Sequence, residues 1–148
     1  KDSSMNIWQF QHMLSRRLQK WAIVSIGSGL LMRFGSPFYK GIGAQFIGWG
    51  AINAAIALFG RNSADNRAAD IPNPGLLSVK EKETSNLRKL LMVNAGLDVL
   101  YVLFGLRMAR RDKGDGVRRG NGLGIVIQGA FLLIFDLLHA SGLPDPED

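Results

Sequence analysis

Residues Gly41 to Gly60, GIGAQFIGWGAINAAIALFG, run for twenty positions without a charged side chain. About twenty apolar residues in an α-helix reach across the ~30 Å hydrocarbon core of a bilayer. Inside that core a helix satisfies all of its own backbone N–H and C=O groups, which lipid cannot do. Three further apolar stretches follow the same pattern. The economical reading is an all-α, four-helix transmembrane bundle, one domain over residues 1–148, with spans at about 18–34, 41–60, 89–108 and 121–140.

Local signals place the ends of these helices. The first should start after a Ser3/Ser4 cap, carry an amphipathic lead-in of Met5, Trp8, Met13 and Leu14, and stop at Gly35, Ser36 and Pro37. It is the least regular span, because only Trp21 to Met32 is free of charge between Lys20 and Arg33. Arg61 to Leu77 is polar and holds Pro72, Pro74 and Gly75, which predicts a loop. Ser78 with Glu81 has capping-box spacing and predicts a third helix from Val79. The turn-forming Asp112 to Gly116 should separate it from a fourth helix over Gly122 to His139 or Ala140, and the tail GLPDPED should not be helical.

Lys and Arg exceed Asp and Glu by 18 to 12, and the pI is near 10.1. Such a balance can mark a nucleic-acid binder, yet the basic residues cluster beside the apolar stretches at Arg16, Arg17 and Lys20, at Arg88 and Lys89, and from Arg107 to Arg119. That is the placement of helix ends held at a lipid headgroup layer, so no nucleic-acid partner is expected. Basic residues flanking the spans number nine on the amino-terminal face and eight on the other, which tips orientation toward a cytoplasmic amino terminus. The chain holds no cysteine, which excludes disulfide and thiolate chemistry. Nothing in the first thirty residues has the pattern of a cleavable signal peptide. The mean hydropathy of +0.07 is low for four spans and keeps a soluble four-helix bundle as an alternative.

Leu18, Lys20, Val24 and Gly27 share their spacing with Leu87, Lys89, Val93 and Gly96, and Gly41, Gly43 and Gly48 share theirs with Gly122, Gly124 and Gly129. Two readings stay open: a duplicated helical hairpin related by a two-fold axis along the membrane normal, or chance likeness between glycine-containing apolar helices. Ser25 with Gly29, Ala44 with Gly48, and Ala51 with Ala55 are small-residue pairs four apart, which allow close helix packing in lipid.

The strings QFIGWGAINAAIALFG, NAGLDVLYVLFG and IQGAFLLIFDLLHA resemble signature segments of a family of uncharacterised bacterial four-span membrane proteins, a domain of unknown function. The likeness covers about residues 14 to 140 and is carried by Asn53, Asn94, Asp98, Gln128 and Asp136. The resemblance implies the fold and a bacterial inner membrane, and implies no activity.

Ionisable groups inside a span are costly and face the bundle interior or a wet cavity, which singles out Asp98 and Asp136. Asn94, Asp98 and Tyr101 share one face of the third helix, while Gln128 and His139 share a face of the fourth with Asp136 to one side. With Asn53 these form a candidate polar cluster, either an interhelical hydrogen-bond network linking Asp98 to Asn53 or Asn94, or a small cavity between Asp98 and Asp136. His12 and His139 with a carboxylate fall short of a metal or haem ligand set. The GxG strings at Gly41 and Gly122 lack a βαβ context, and no nucleophile and base are spaced for catalysis. No cofactor and no enzymatic activity are expected. The expected role is an accessory or interaction subunit packing against another membrane protein or its own copies, with a small transporter or ion pathway through Asp98 and Asp136 as the alternative.

Overall fold

The computed structural model describes residues 5–111 and 113–147. It consists of four antiparallel-connected helices: α1 (Ile7–Met32), α2 (Pro37–Asp70), α3 (Leu77–Arg111) and α4 (Gly116–Ser141). The helices pack as two hairpins, α1 on α2 and α3 on α4, joined chiefly along α2 and α4.

Most of the helix ends differ from the sequence-based expectation, and each has a local cause. The expected Ser3/Ser4 cap lies outside the described residues; α1 is capped by Asn6, whose side chain accepts from Gln9 N while Gln9 Oε1 accepts from Asn6 N. Pro37 opens α2 at a position where its missing N–H costs nothing. The predicted loop from Arg61 is instead three more turns of α2. Ala64, Ala68 and Ala69 favour helix there, Ala64 is 1% exposed, and Arg67 reaches back to Ser63 and across to α3. Polarity was the wrong cue for a segment whose charges are spent on neighbouring helices. The third helix starts at Leu77, two residues before the expected Val79. The fourth starts at Gly116 rather than Gly122, because Asp115 accepts from Arg118 N and caps it. The tail after Ser141 is non-helical, as expected.

Three helices, α2, α3 and α4, are long and apolar enough to cross a membrane. The first falls short of that measure, since Arg16, Arg17 and Lys20 interrupt it, in keeping with its place as the least regular of the four expected spans. Large apolar side chains ring the molecule: Leu31 is 75% exposed, Phe34 91% and Phe59 77%, with Ile23, Leu100 and Leu138 each above half. A belt of this extent is far beyond the apolar patches of water-soluble monomers. Lipid is the solvent that fits it.

The interior is built from glycine. No described glycine has a positive φ, and at the helix crossings glycine stands where a side chain would not fit. A methyl group on Gly29 would sit 2.7 Å from Gly43 O, and one on Gly43 2.6 Å from Gly29 O. Seventy-six positions after Gly29 and seventy-nine after Gly43 the contact recurs: a methyl on Gly105 would sit 2.7 Å from Gly122 O, and one on Gly122 2.8 Å from Gly105 O. The next layer repeats in the same register. Gly50 lies against Ala22 and Ile26, and Gly129 against Asp98 and Val102. Where the hairpins meet, Gly41 lies against Val117 and Gly120, while Gly120 lies against Phe38 and Gly41. Each of these residues touches its own counterpart, as a two-fold axis requires.

The molecule is therefore a duplicated hairpin, in a register different from the one the sequence suggested. The helix pair α1/α3 is offset by 76 residues and the pair α2/α4 by 79. In this register Gly29-Leu30-Leu31-Met32 matches Gly105-Leu106-Arg107-Met108. Gly27, Gly48 and Gly96, which carried the earlier alignment, all face open space. Similar composition misled; contact decides.

Candidate functional site

The axis is sealed at one end and open at the other. At the end where α1 finishes and α2 begins, Gly41 and Gly120 bring two backbones into contact, and Gln45 Nε2 donates to Asn121 Oδ1 (2.7 Å) across the seam. Toward the amino-terminal end α2 and α3 diverge and leave a cavity of about 1040 Å³. It straddles the axis, for its walls include six pairs of counterparts: Gln11 and Leu87, Leu14 and Leu90, Ser15 and Leu91, Leu18 and Asn94, Ile56 and Phe135, Ala57 and Asp136. Four of the six pair a polar residue with an apolar one. The repeat is preserved in backbone and abandoned in chemistry.

Side chains explain why the cavity opens between α2 and α3 and not between their counterparts α4 and α1. On the α1/α4 side Trp21 stacks on Phe131 at 3.6 Å and 9°, and donates through Nε1 to Gln128 Oε1 (3.1 Å). Gln128 Nε2 donates to Ser25 Oγ (3.1 Å). Arg17 and His139 close the same seam at 3.1 Å. The residues in the matching α2/α3 positions are Leu97 for Trp21, Ile52 for Phe131, Gly60 for His139 and Val93 for Arg17. Smaller groups leave the seam unfilled.

The rim is a polar network joining three helices. Arg67 Nε donates to Glu83 Oε1 (3.0 Å), and Arg67 Nη2 to Glu83 Oε2 (3.0 Å) and Gln11 Oε1 (3.0 Å). Gln11 Nε2 donates to Glu83 Oε2 (3.2 Å), and Arg67 Nη1 to Ser63 Oγ (2.5 Å). Glu83 and Gln11 are buried. A fork of guanidinium N–H groups matches a carboxylate in geometry as well as charge. Trp8 Nε1 donates to Pro74 O (3.1 Å) and holds the α2–α3 connection against α1.

The expected polar cluster is not one cluster. Asp98 and Asp136 face each other across the α3/α4 interface within hydrogen-bonding reach. Such a pair can share one proton. Asn53 is 2% exposed, yet its Nδ2 bonds to nothing, and Asp98 Oδ2 also has no partner; the expected bond between Asp98 and Asn53 is not made. Tyr101 packs edge-on against Trp49 at 4.9 Å, in the place where the opposite α1/α4 seam has Ser25 and Gln128. Asn94 and Asp136 line the cavity; Asn53, Asp98, Tyr101, Gln128 and His139 do not. His139 Nδ1 lies 2.6 Å from Phe135 O, which can only accept, so Nδ1 carries the hydrogen and Nε2 faces Arg17 as acceptor. His12 pairs with Asp65 at 2.6 Å, far from that site in role and partner. Both histidines have their own bonds to make.

The expected packing residues also divide. Ser25 and Gly29 are buried between helices, whereas Ala44, Gly48, Ala51 and Ala55 lie exposed along the outer face of α2. A side chain at Gly48 would meet nothing within 4 Å. Sequence reasoning missed Gln11, Arg67 and Glu83, because long-range partners on three helices carry no local signature; the i, i+4 spacing of Ser63 and Arg67 was the one available hint.

A family model matches residues 17–137, which takes in the Gly29–Gly43, Gly105–Gly122 and Gly41–Gly120 contacts and the Arg67–Glu83 pair. The chain belongs to the Family of unknown function DUF6992. Gln11 and His139 fall outside the stretch that DUF6992 describes, whereas both hairpins, the sealed end of the axis and most of the cavity wall fall inside it. No curated protein and no solved structure matches the chain.

Proposed function

We propose that this protein is a non-catalytic integral membrane subunit that docks another membrane helix, of a partner or of a second copy, on the outer face of α2. One comparison carries the reading. Ala44, Gly48, Ala51 and Ala55 form an exposed strip on α2, while their counterparts on α4 are Leu123, Ile127, Ala130 and Ile134. Ile127 and Ile134 are exposed as well, with Leu123 and Ala130 half-buried beside them, so lipid contact alone gives no reason for glycine and alanine to stand on α2 where α4 carries isoleucine. Small residues let a second backbone approach within van der Waals and weak hydrogen-bonding range, which is what drives association where lipid removes the hydrophobic effect. The ion-pathway alternative is less well supported, since every wall residue of the cavity belongs to the amino-terminal half of the bundle and the far end is closed by Gly41 and Gly120.

Gly48 supplies the test, because a side chain built there meets nothing within 4 Å. Gly48→Leu should leave the unfolding midpoint in mild detergent unchanged and remove the co-purifying partner or the dimer seen by crosslinking. A wild-type protein that stays a lone monomer in membranes under crosslinking overturns the proposal.

The reading places the protein in a bacterial inner membrane with a cytoplasmic amino terminus. The chain has no cysteine, so single cysteines report sidedness cleanly. Lys113→Cys should react with a membrane-impermeant maleimide in intact cells, and Ser78→Cys only after permeabilisation. The reverse pattern inverts the orientation.

A further inference from the structure

We infer that the cavity between α2 and α3 is a binding site for a phospholipid of the surrounding bilayer, with its acyl chain between the hairpins and its phosphate at the rim. Four observations point the same way. Its volume of about 1040 Å³ lies at the upper end of ligand sites, which run from about 300 to 1,000 Å³. Its middle is largely apolar, walled by Leu14, Leu18, Leu87, Leu90, Leu91 and Phe135, with Asn94 and Asp136 at its inner end. It opens sideways at the level of the apolar belt: Ile56 and Leu90, on opposite lips, both line it and are 51% and 56% exposed. A groove with such lips, in a belt that faces acyl chains, is filled from the bilayer and not from water.

The rim decides the headgroup. From Ala57 to Arg67 the wall rises roughly 15 Å at 1.5 Å per residue, so the polar rim stands at the depth of a lipid phosphate when the chain lies against Ala57. Arg67 and Lys82 line it, and Arg61, Lys80, Arg88 and Lys89 stand on the same two helices. Of the acidic residues there, Glu83 is neutralised by Arg67 and Asp65 faces His12, which leaves Asp70 and Glu81 against Arg61, Lys80, Lys82, Arg88 and Lys89. The surplus is positive and suits an anionic phosphate.

The duplicate half indicates how to close the site. The position of Gly60 is filled by His139 on the opposite seam, and a side chain on Gly60 has only Ser15 Oγ near it, at 3.6 Å. Gly60→Phe therefore fits without displacing the backbone and blocks the lateral opening. The full chain would be reconstituted in phosphatidylcholine vesicles doped with phosphatidylglycerol bearing a diazirine midway along one acyl chain, irradiated, and mapped by peptide mass spectrometry. Adducts are expected on interior residues such as Leu14, Leu18 and Leu87 as well as on the outward Phe59 and Leu103. In Gly60→Phe the interior adducts should be lost and the outward ones kept. The same diazirine on phosphatidylcholine should label the interior less than phosphatidylglycerol does. Labelling confined to outward residues in the wild type, or interior labelling that Gly60→Phe leaves intact, overturns the site; equal interior labelling by both lipids overturns the role of the basic rim. None of these outcomes depends on whether the α2 strip binds a partner.

Discussion

Alanine at Gly120 is expected to prevent assembly of the bundle, the largest effect of any single methyl group in this chain. Its Cβ would fall within contact distance of Phe38 O and crowd the Gly41 backbone, and both obstacles are main chain, which cannot rotate away. Overpacking a core typically costs about 1–3 kcal/mol even where side chains can yield; here two helices must separate along their length, and the loss should exceed that range. Gly41→Ala should behave alike, because its Cβ meets Val117 O and the backbone of Gly120 and Asn121. Gly48→Ala and Gly96→Ala are the controls, since neither position has an atom within 4 Å; they should fold as well as the wild type or slightly better, alanine being the stronger helix former by about 1 kcal/mol. Thermal unfolding in detergent, followed by circular dichroism and by retention on size-exclusion chromatography, separates the two classes. Equal behaviour of Gly120→Ala and Gly48→Ala would remove the two-fold seam from the account.

Loss of the rim pair should give the next largest effect. Arg67→Ala leaves Glu83 buried with no cation beside it, and stranding one partner of a buried ion pair costs about 3–5 kcal/mol. The Arg67 side chain is 42% exposed, so the lower end, about 3 kcal/mol, is the expected value. The double variant Arg67→Leu/Glu83→Leu should recover most of that loss, since no charge is then left unpaired. The His12–Asp65 pair offers a comparison at the same end of the bundle, with side chains 38% and 50% exposed; Asp65→Ala should cost less than about 1 kcal/mol. If the double variant is as unstable as Arg67→Ala, the penalty lies in lost packing and not in a stranded charge.

The class of fold was legible because bilayer thickness acts on one helix at a time: twenty uncharged residues make the case without knowledge of any neighbour. The ends of α2 and α4 were not, since Arg61 to Asp70 is polar in composition but alanine-rich, and its charges find partners on α1 and α3. The repeat was legible as an idea and wrong in register. Glycines that face lipid and glycines that face a backbone look identical in a sequence, and contact alone sets Gly29, Gly41, Gly43, Gly105, Gly120 and Gly122 apart from Gly27, Gly48 and Gly96. Asp98 and Asp136 were found because an acid inside a span stands out; Gln11 and Glu83 were missed because at a helix end they look like ordinary surface residues until Arg67 joins them.

The pairing of unlike residues around the cavity has a consequence for how such a protein must be encoded. Two identical hairpins associating as separate chains would line their shared chamber with every group twice, two acids or none, two glutamines or none. Joining them in one polypeptide frees each wall to diverge, so that Ala57 can stand opposite Asp136 and Leu18 opposite Asn94. A lopsided chamber of this kind is available to a monomeric gene product and closed to a homodimer of half its length.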